Sequence, residues 1–134
     1  MKMGDSQKLA GKLAVELPSR IIALVGELGS GKTTFSQFFL RALGVESRIT
    51  SPTFTIIKNY KLEAENYSAA YHIDCYRLKN TEELLALGFR EILDNPKNIV
   101  LIEWADKIKE LLPVDALWIK FEHGNNKYER IITT

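Results

Sequence analysis

Apolar positions fall into two periods along this chain, and the period predicts the element. Leu9, Leu13 and Leu17 recur every four residues with Ala10 and Ala14 beside them. That spacing predicts an amphipathic helix, capped by Asp5 or Ser6 and ended by Pro18. Ile21 to Val25 is an unbroken apolar run, short enough for a buried strand. Phe35, Phe38, Phe39, Ala42 and Leu43 return to helical spacing as an inner face, with Gly44 as the C-terminal stop. Phe54, Ile56, Tyr60 and Leu62 fit a strand, Glu63 to Asn66 a turn, and Tyr67 to Cys75 a returning strand. Asn80-Thr81-Glu82-Glu83 resembles a capping box, opening a short helix through Leu87 that Gly88 breaks. Phe89, Ile92 and Leu93 add one more turn. Asn98 to Glu103 is the second strong buried-strand signal, followed by a helix from about Ala105 to Leu112 that Pro113 stops. Leu117, Ile119 and Phe121 alternate towards His123-Gly124-Asn125-Asn126, and Tyr128 to Ile132 returns as a C-terminal hairpin.

Strand and helix alternate, with a hairpin interrupting after the second helix. The expected architecture is therefore α/β, a single three-layer domain over residues 1–134 with a mixed central sheet. With 134 residues the chain can bury a real core, and there is no linker or internal repeat to divide it.

Between the first strand and second helix stands Gly26-Glu27-Leu28-Gly29-Ser30-Gly31-Lys32-Thr33-Thr34. It fits G-x-x-x-x-G-K-[ST] at every fixed position, in the strand–turn–helix setting that this phosphate-binding loop requires. Glycines permit backbone conformations that a Cβ blocks. The N–H groups can then converge on phosphate oxygens at a helix N-terminus. Lys32 brings a point charge to the terminal phosphates, and the Thr33 hydroxyl is placed to coordinate Mg²⁺. A P-loop NTPase fold binding a nucleoside triphosphate is expected. Asn126-Lys127-Tyr128-Glu129 fails the guanine-reading pattern, having Glu where Asp is needed, which favours ATP over GTP.

Charge narrows the partners. Lys and Arg number 18 against 17 for Asp and Glu, and no basic stripe is clustered, so neither DNA nor a strong autonomous RNA surface is expected. One cysteine, Cys75, permits no internal disulfide and suits a reducing compartment. No apolar run approaches membrane-spanning length, so no membrane association and a cytoplasmic location are expected.

A carboxylate at the C-terminal end of a parallel strand would lie on the phosphate-loop edge of the sheet. Asp74 and Glu103 both end candidate strands, and spacing does not rank them as metal ligand or catalytic group. Ser51, Thr53 and Thr55 stand where a switch segment would stand, although hydroxyls satisfying a turn around Pro52 fit equally well. Trp104 follows Glu103 and could stack on the nucleotide. His72, alone, reads as a structural hydrogen-bonding residue. Arginines are scattered singly at 20, 41, 48, 77, 90 and 130, which speaks against a small-molecule kinase with an arginine-bearing lid. A nucleotide-gated binding module with negligible catalysis is the other alternative to an ATPase.

The phosphate loop is followed in order by Ser51-Pro52-Thr53-Phe54, His72-Ile73-Asp74-Cys75-Tyr76-Arg77 and Ile102-Glu103-Trp104. Together these resemble the small bacterial ATPase family of tRNA threonylcarbamoyladenosine biosynthesis, TsaE (YjeE), from about Leu9 to about Leu112. The resemblance implies ATP and Mg²⁺ as cofactors and a role in modifying adenosine 37 of tRNAs that read ANN codons. It implies docking on a heterodimer of the transferase subunit and its inactive paralogue, which the ATP cycle resets between turnovers, with tRNA met only through that complex. By position, the resemblance implies that Glu27 to Thr34 cradle the phosphates, with Lys32 and Thr33 holding phosphates and Mg²⁺. Asp74 would take the Walker-B-like metal role, and Glu103 would orient water or metal. Thr53 would belong to the switch, and Trp104 would border the nucleotide.

Overall fold

The structure, a computed structural model, describes residues 3–26, 31–46, 49, 56–121 and 128–132. Six strands form one sheet: β1 (Ile21–Gly26), β2 (Ile57–Lys61), β3 (Ala69–Asp74), β4 (Asn98–Glu103), β5 (Leu117–Phe121) and β6 (Tyr128–Ile132). Their spatial order is β2-β3-β4-β1-β5-β6. The four inner strands run parallel, whereas β2 on β3 and β6 on β5 are antiparallel. The sheet is mixed because hairpins close both ends of a parallel centre. The centre is also the most apolar part. Every residue of β4 is buried, as parallel strands covered on both faces must be.

Period-two alternation sorts the core into two layers. Ile22, Leu24, Ala70, Ile99, Leu101 and Ile119 face α1 (Met3–Glu16) and α2 (Lys32–Ala42), where Leu13, Phe35 and Phe39 meet them. Ile21, Ala23, Ile73, Val100 and Ile102 face α3 (Thr81–Ala86), α4 (Phe89–Asp94) and a 3₁₀ segment, Ala105–Leu111. Phe35 stacks on Phe39 with ring centroids 6.0 Å apart and meets Phe121 edge-on at 5.5 Å, tying α2 to β5. No helix among the described residues is long and apolar enough to cross a membrane.

Several boundaries differ from the expected ones. The first helix begins at Met3, so Asp5 and Ser6 lie within it rather than cap it. Packing of its Leu9–Leu13 face sustains the extra turn. Ala42 is exposed, and Leu40 and Val45 fill the end of the α2 face instead. The reason is the C-terminal stop: Gly44 N–H donates to Arg41 O at 3.1 Å and Val45 N–H to Leu40 O at 3.1 Å. This is a Schellman closure, which folds Val45 back over Leu40. Gly44 sits at φ 105°, and a Cβ there would meet nothing within 4 Å. The cost of Gly44→Ala is therefore conformational alone, and a loss of about 1 kcal/mol is expected in denaturant unfolding. No shift in midpoint would show that the turn carries no such constraint.

The Asn80 cap is present, with Oδ1 accepting from Glu83 N–H at 3.1 Å. The return arm differs from a strict capping box, since Glu83 Oε1 accepts from Lys79 N–H at 3.1 Å, one residue further out. The expected helix after β4 is instead 3₁₀. Its buried residues, Ala105 and Ile108, are three apart, the spacing that a 3₁₀ turn eclipses, and Ile108 (φ −128°) kinks it. The turns expected around residues 50–55 and 122–127 lie outside the described residues.

Candidate functional site

Strand parity decides which side chains meet at the C-terminal edge of the sheet. Residues i and i+2 of a strand share a face. His72 and Asp74 on β3 therefore join Leu101 and Glu103 on β4, all on the α2 side. The parallel register sets Asp74 directly beside Glu103. Because β4 neighbours β1, Glu103 also stands opposite Leu24, two residues before Gly26. Two carboxylates thus end adjacent strands next to the start of α2.

Helix α2 begins from Gly31, whose φ of 101° is left-handed. That conformation turns the chain from the loop into the helix without a Cβ penalty. The first helical residues then lie over the strand ends. Thr33 Oγ1 donates to Glu103 Oε1 at 3.2 Å. Ser36 Oγ donates to Lys32 O at 2.8 Å and lies 3.5 Å from Glu103 Oε2. His72 Nε2 approaches the same Oε2 at 2.6 Å, with both side chains buried. Glu103 is held from three directions, although only 3% of its surface is exposed.

Lys32 is the buried cation of this edge. Its Nζ donates to Gly26 O and lies 3.6 Å from the centroid of the Trp104 ring. Burial lowers its pKa below the ordinary lysine value, opposed by the carboxylates of Glu103, Asp106 and Asp74. Trp104 reaches this position through a strained backbone. Its φ of 59° is left-handed for a residue with a bulky side chain, a cost of roughly 1–2 kcal/mol. Tyr76 packs against the Trp104 ring at 4.9 Å, and Lys107 Nζ donates to Tyr76 O at 2.5 Å. An ammonium on an indole face, braced from behind, forms one wall of the site.

Asp74 is the more open carboxylate. Oδ1 accepts from Tyr76 N–H at 2.9 Å, an Asx turn that fixes the side chain at the strand end. Its pKa is raised above the usual carboxylate range. Burial is the main cause, the Tyr76 N–H opposes it, and the neighbouring Glu103 adds to it. Cys75 points to the other face, where burial pushes its thiol up to about 12, leaving it inert at neutral pH.

The structure thus brings together Lys32, Thr33, Glu103 and Trp104, with Asp74 one strand further from β1. Thr34 follows on α2, half-buried. Glu27, Leu28, Gly29, Ser30 and Thr53 lie outside the described residues, as do Ser51 and Thr55. Sequence reasoning left His72 out of the site. The signal was available: in H-x-D the two residues are two apart on a strand, so a His shares the face of any carboxylate that follows it.

The oxygen donors here suit a hard cation. The Thr33 hydroxyl and two neighbouring carboxylates offer what Mg²⁺ prefers. Among the described residues no group of three or more His, Cys, Asp and Glu could hold a metal by itself. That fits an ion taken up with phosphate oxygens and water rather than a cage built wholly from protein.

The family described as "Threonylcarbamoyl adenosine biosynthesis protein TsaE" matches residues 2–132. The tRNA threonylcarbamoyladenosine biosynthesis protein TsaE of Rickettsia conorii is 42% identical over 126 residues, covering 92% of this chain and 69% of the relative. That of Bacillus subtilis is 39% identical over 131 residues, covering 96% and 78%. The crystal structure of Bacillus subtilis YdiB superposes with a TM-score of 0.74 at 32% identity, covering all of this chain and 81% of that one. With the fold, the strand-end carboxylates and the match in agreement, the chain belongs to the TsaE family of threonylcarbamoyl adenosine biosynthesis proteins.

Proposed function

We propose that this protein is a Mg²⁺-dependent ATPase acting in threonylcarbamoyladenosine biosynthesis on tRNA. Its ATP cycle resets a heterodimer of the transferase subunit and its inactive paralogue, which modifies adenosine 37 of tRNAs reading ANN codons. Family membership supports the pathway. The observation that carries the chemistry is the reach of Thr33 Oγ1 to Glu103 Oε1 at 3.2 Å, beside the buried Lys32. A hydroxyl at the head of the helix resting on a strand-end carboxylate is the arrangement phosphoryl-transfer sites use around their metal.

When bound, Mg²⁺ supplies charge stabilisation on the phosphates. Thr33 and Glu103 would hold it, and their contact supports giving the metal side to Glu103 rather than to Asp74. Asp74, more open and one strand further out, would orient the attacking water. Lys32 would leave the Gly26 carbonyl for the terminal phosphates, and Trp104 would border the nucleotide and shield it from water. The Glu27–Thr34 backbone would supply the N–H cradle.

Calorimetric titration with ATP, with and without Mg²⁺, tests the reading. Binding that strengthens with Mg²⁺ is expected, and no heat with ATP under either condition would overturn it. The two carboxylates separate when steady-state hydrolysis is measured beside that titration. Glu103→Gln is expected to remove most of the Mg²⁺ dependence, whereas Asp74→Asn lowers turnover and spares binding. The opposite pattern would return the metal side to Asp74.

A further inference from the structure

Glu103 is a buried carboxylate on a flexible stem that must present one oxygen to Thr33 and keep it there. Unheld, a glutamate samples several rotamers, and each one removes Oε1 from the site. Its two oxygens are engaged unequally. Oε1 carries the Thr33 hydroxyl at 3.2 Å, and Oε2 carries the His72 ring at 2.6 Å. Ser36, at 3.5 Å from Oε2 and already donating to Lys32 O, adds little.

The other end of His72 is informative. Its ring is fully buried, and among the described residues Nδ1 has no hydrogen-bond partner. The hydrogen bond the ring makes among those residues is the one to Glu103. An ionised carboxylate only accepts, so the proton of the Glu103 bond must sit on Nε2. The backbone cannot be the reason for a histidine here. His72 lies mid-strand, paired to Leu101 and Lys58, where a β-branched apolar residue would serve the sheet better.

We propose that His72 is a positioning residue. Through Nε2–H it locks the Glu103 carboxylate so that Oε1 faces Thr33 and the site edge. The idea rests on the ATPase reading above. It assigns His72 no contact with nucleotide or metal, and all of its effect passes through Glu103. Partners that orient a ligand in this way typically cost 10–100-fold when removed.

The tests use the full chain with its partner heterodimer. His72→Leu fills the space and deletes the donor, whereas His72→Gln can return an N–H near the Nε2 position. Expected for His72→Leu is a half-saturating Mg²⁺ concentration for ATP turnover raised on the order of 10-fold, and His72→Gln should recover most of it. In a Glu103→Gln background His72→Leu should have no further effect, because its target is already gone. Additive losses in the double variant, or equal losses in the Leu and Gln variants, would overturn the proposal. A readout independent of turnover is the ring itself. Long-range ¹H–¹⁵N spectra of the nucleotide-free protein, assigned by the His72→Leu variant, should show the proton on Nε2. A proton on Nδ1 alone would overturn the bond and the proposal with it. If the parent chain hydrolyses no ATP alone or with partners, the ATPase reading and the catalytic part of this one fall together. If it does, and the His72 variants match it, only this inference falls.

Discussion

ATP turnover by the isolated chain is expected to be slow, and to rise by roughly 10³–10⁵ when the transferase subunit and its inactive paralogue are added. The magnitude is that of an arginine supplied in trans to a phosphoryl-transfer site. The placement of Arg20, Arg41, Arg77 and Arg90, among the described residues, motivates it. Arg20 spends its guanidinium on the carbonyls of Leu93 (2.7 Å) and Asn98 (3.3 Å), and Arg41 on that of Val45 (2.8 Å). Arg90 lines, with Arg20, a cleft of about 340 Å³ at the N-terminal end of β1, the edge opposite the carboxylates. Arg77, exposed and three residues beyond Asp74, is the described arginine nearest in sequence to the site. Steady-state hydrolysis with and without the heterodimer measures the effect, and Arg77→Ala serves as the internal check. A rapid rate from the chain alone that Arg77→Ala abolishes would place the finger in cis and defeat the prediction.

Lys32→Ala is expected to cost about 3 kcal/mol of transition-state stabilisation, on the order of 100-fold in rate. Lys32 is 5% exposed, and its ammonium has exchanged water for the Gly26 carbonyl and the Trp104 ring. A desolvated charge acts on phosphate with little water to screen it, so its removal loses more than an exposed lysine would. Burial lowers the Lys32 pKa while three carboxylates counter that effect. Lys32→Met keeps the hydrocarbon stem under Trp104 and deletes only the charge. Similar losses in the Ala and Met variants would assign the effect to the ammonium rather than to packing. ATP affinity and rate that stay at the parental values in both would remove Lys32 from the site.

Elements with a strong period were legible in advance. The Ile21–Val25 and Asn98–Glu103 runs read as buried strands because only a sheet covered on both faces tolerates such continuous apolar sequence. The start of α2 at Lys32 was legible because the Gly31-Lys32-Thr33 pattern marks a strand–turn–helix junction locally, independent of the rest of the chain. Local signals failed where tertiary contacts compete with them. Ala105–Leu111 has helical composition, yet it follows a left-handed Trp104 and buries every third residue, which tightens it to 3₁₀.

The amino-acid sequence by itself supplied the pattern: a G-x-x-x-x-G-K-[ST] motif after one apolar run, with two carboxylates and a tryptophan at the ends of others. Tertiary structure alone decided which of these groups stand beside one another. Strand order is not written in local pattern, and it is the order β3-β4-β1 that sets Glu103 next to β1 and Asp74 one strand away. Register and parity, which depend on pairing across the sheet, bring His72 from a solitary histidine to within 2.6 Å of Glu103. Sequence patterns specify what a short stretch prefers, whereas contacts between residues 31 apart exist only once the sheet has closed.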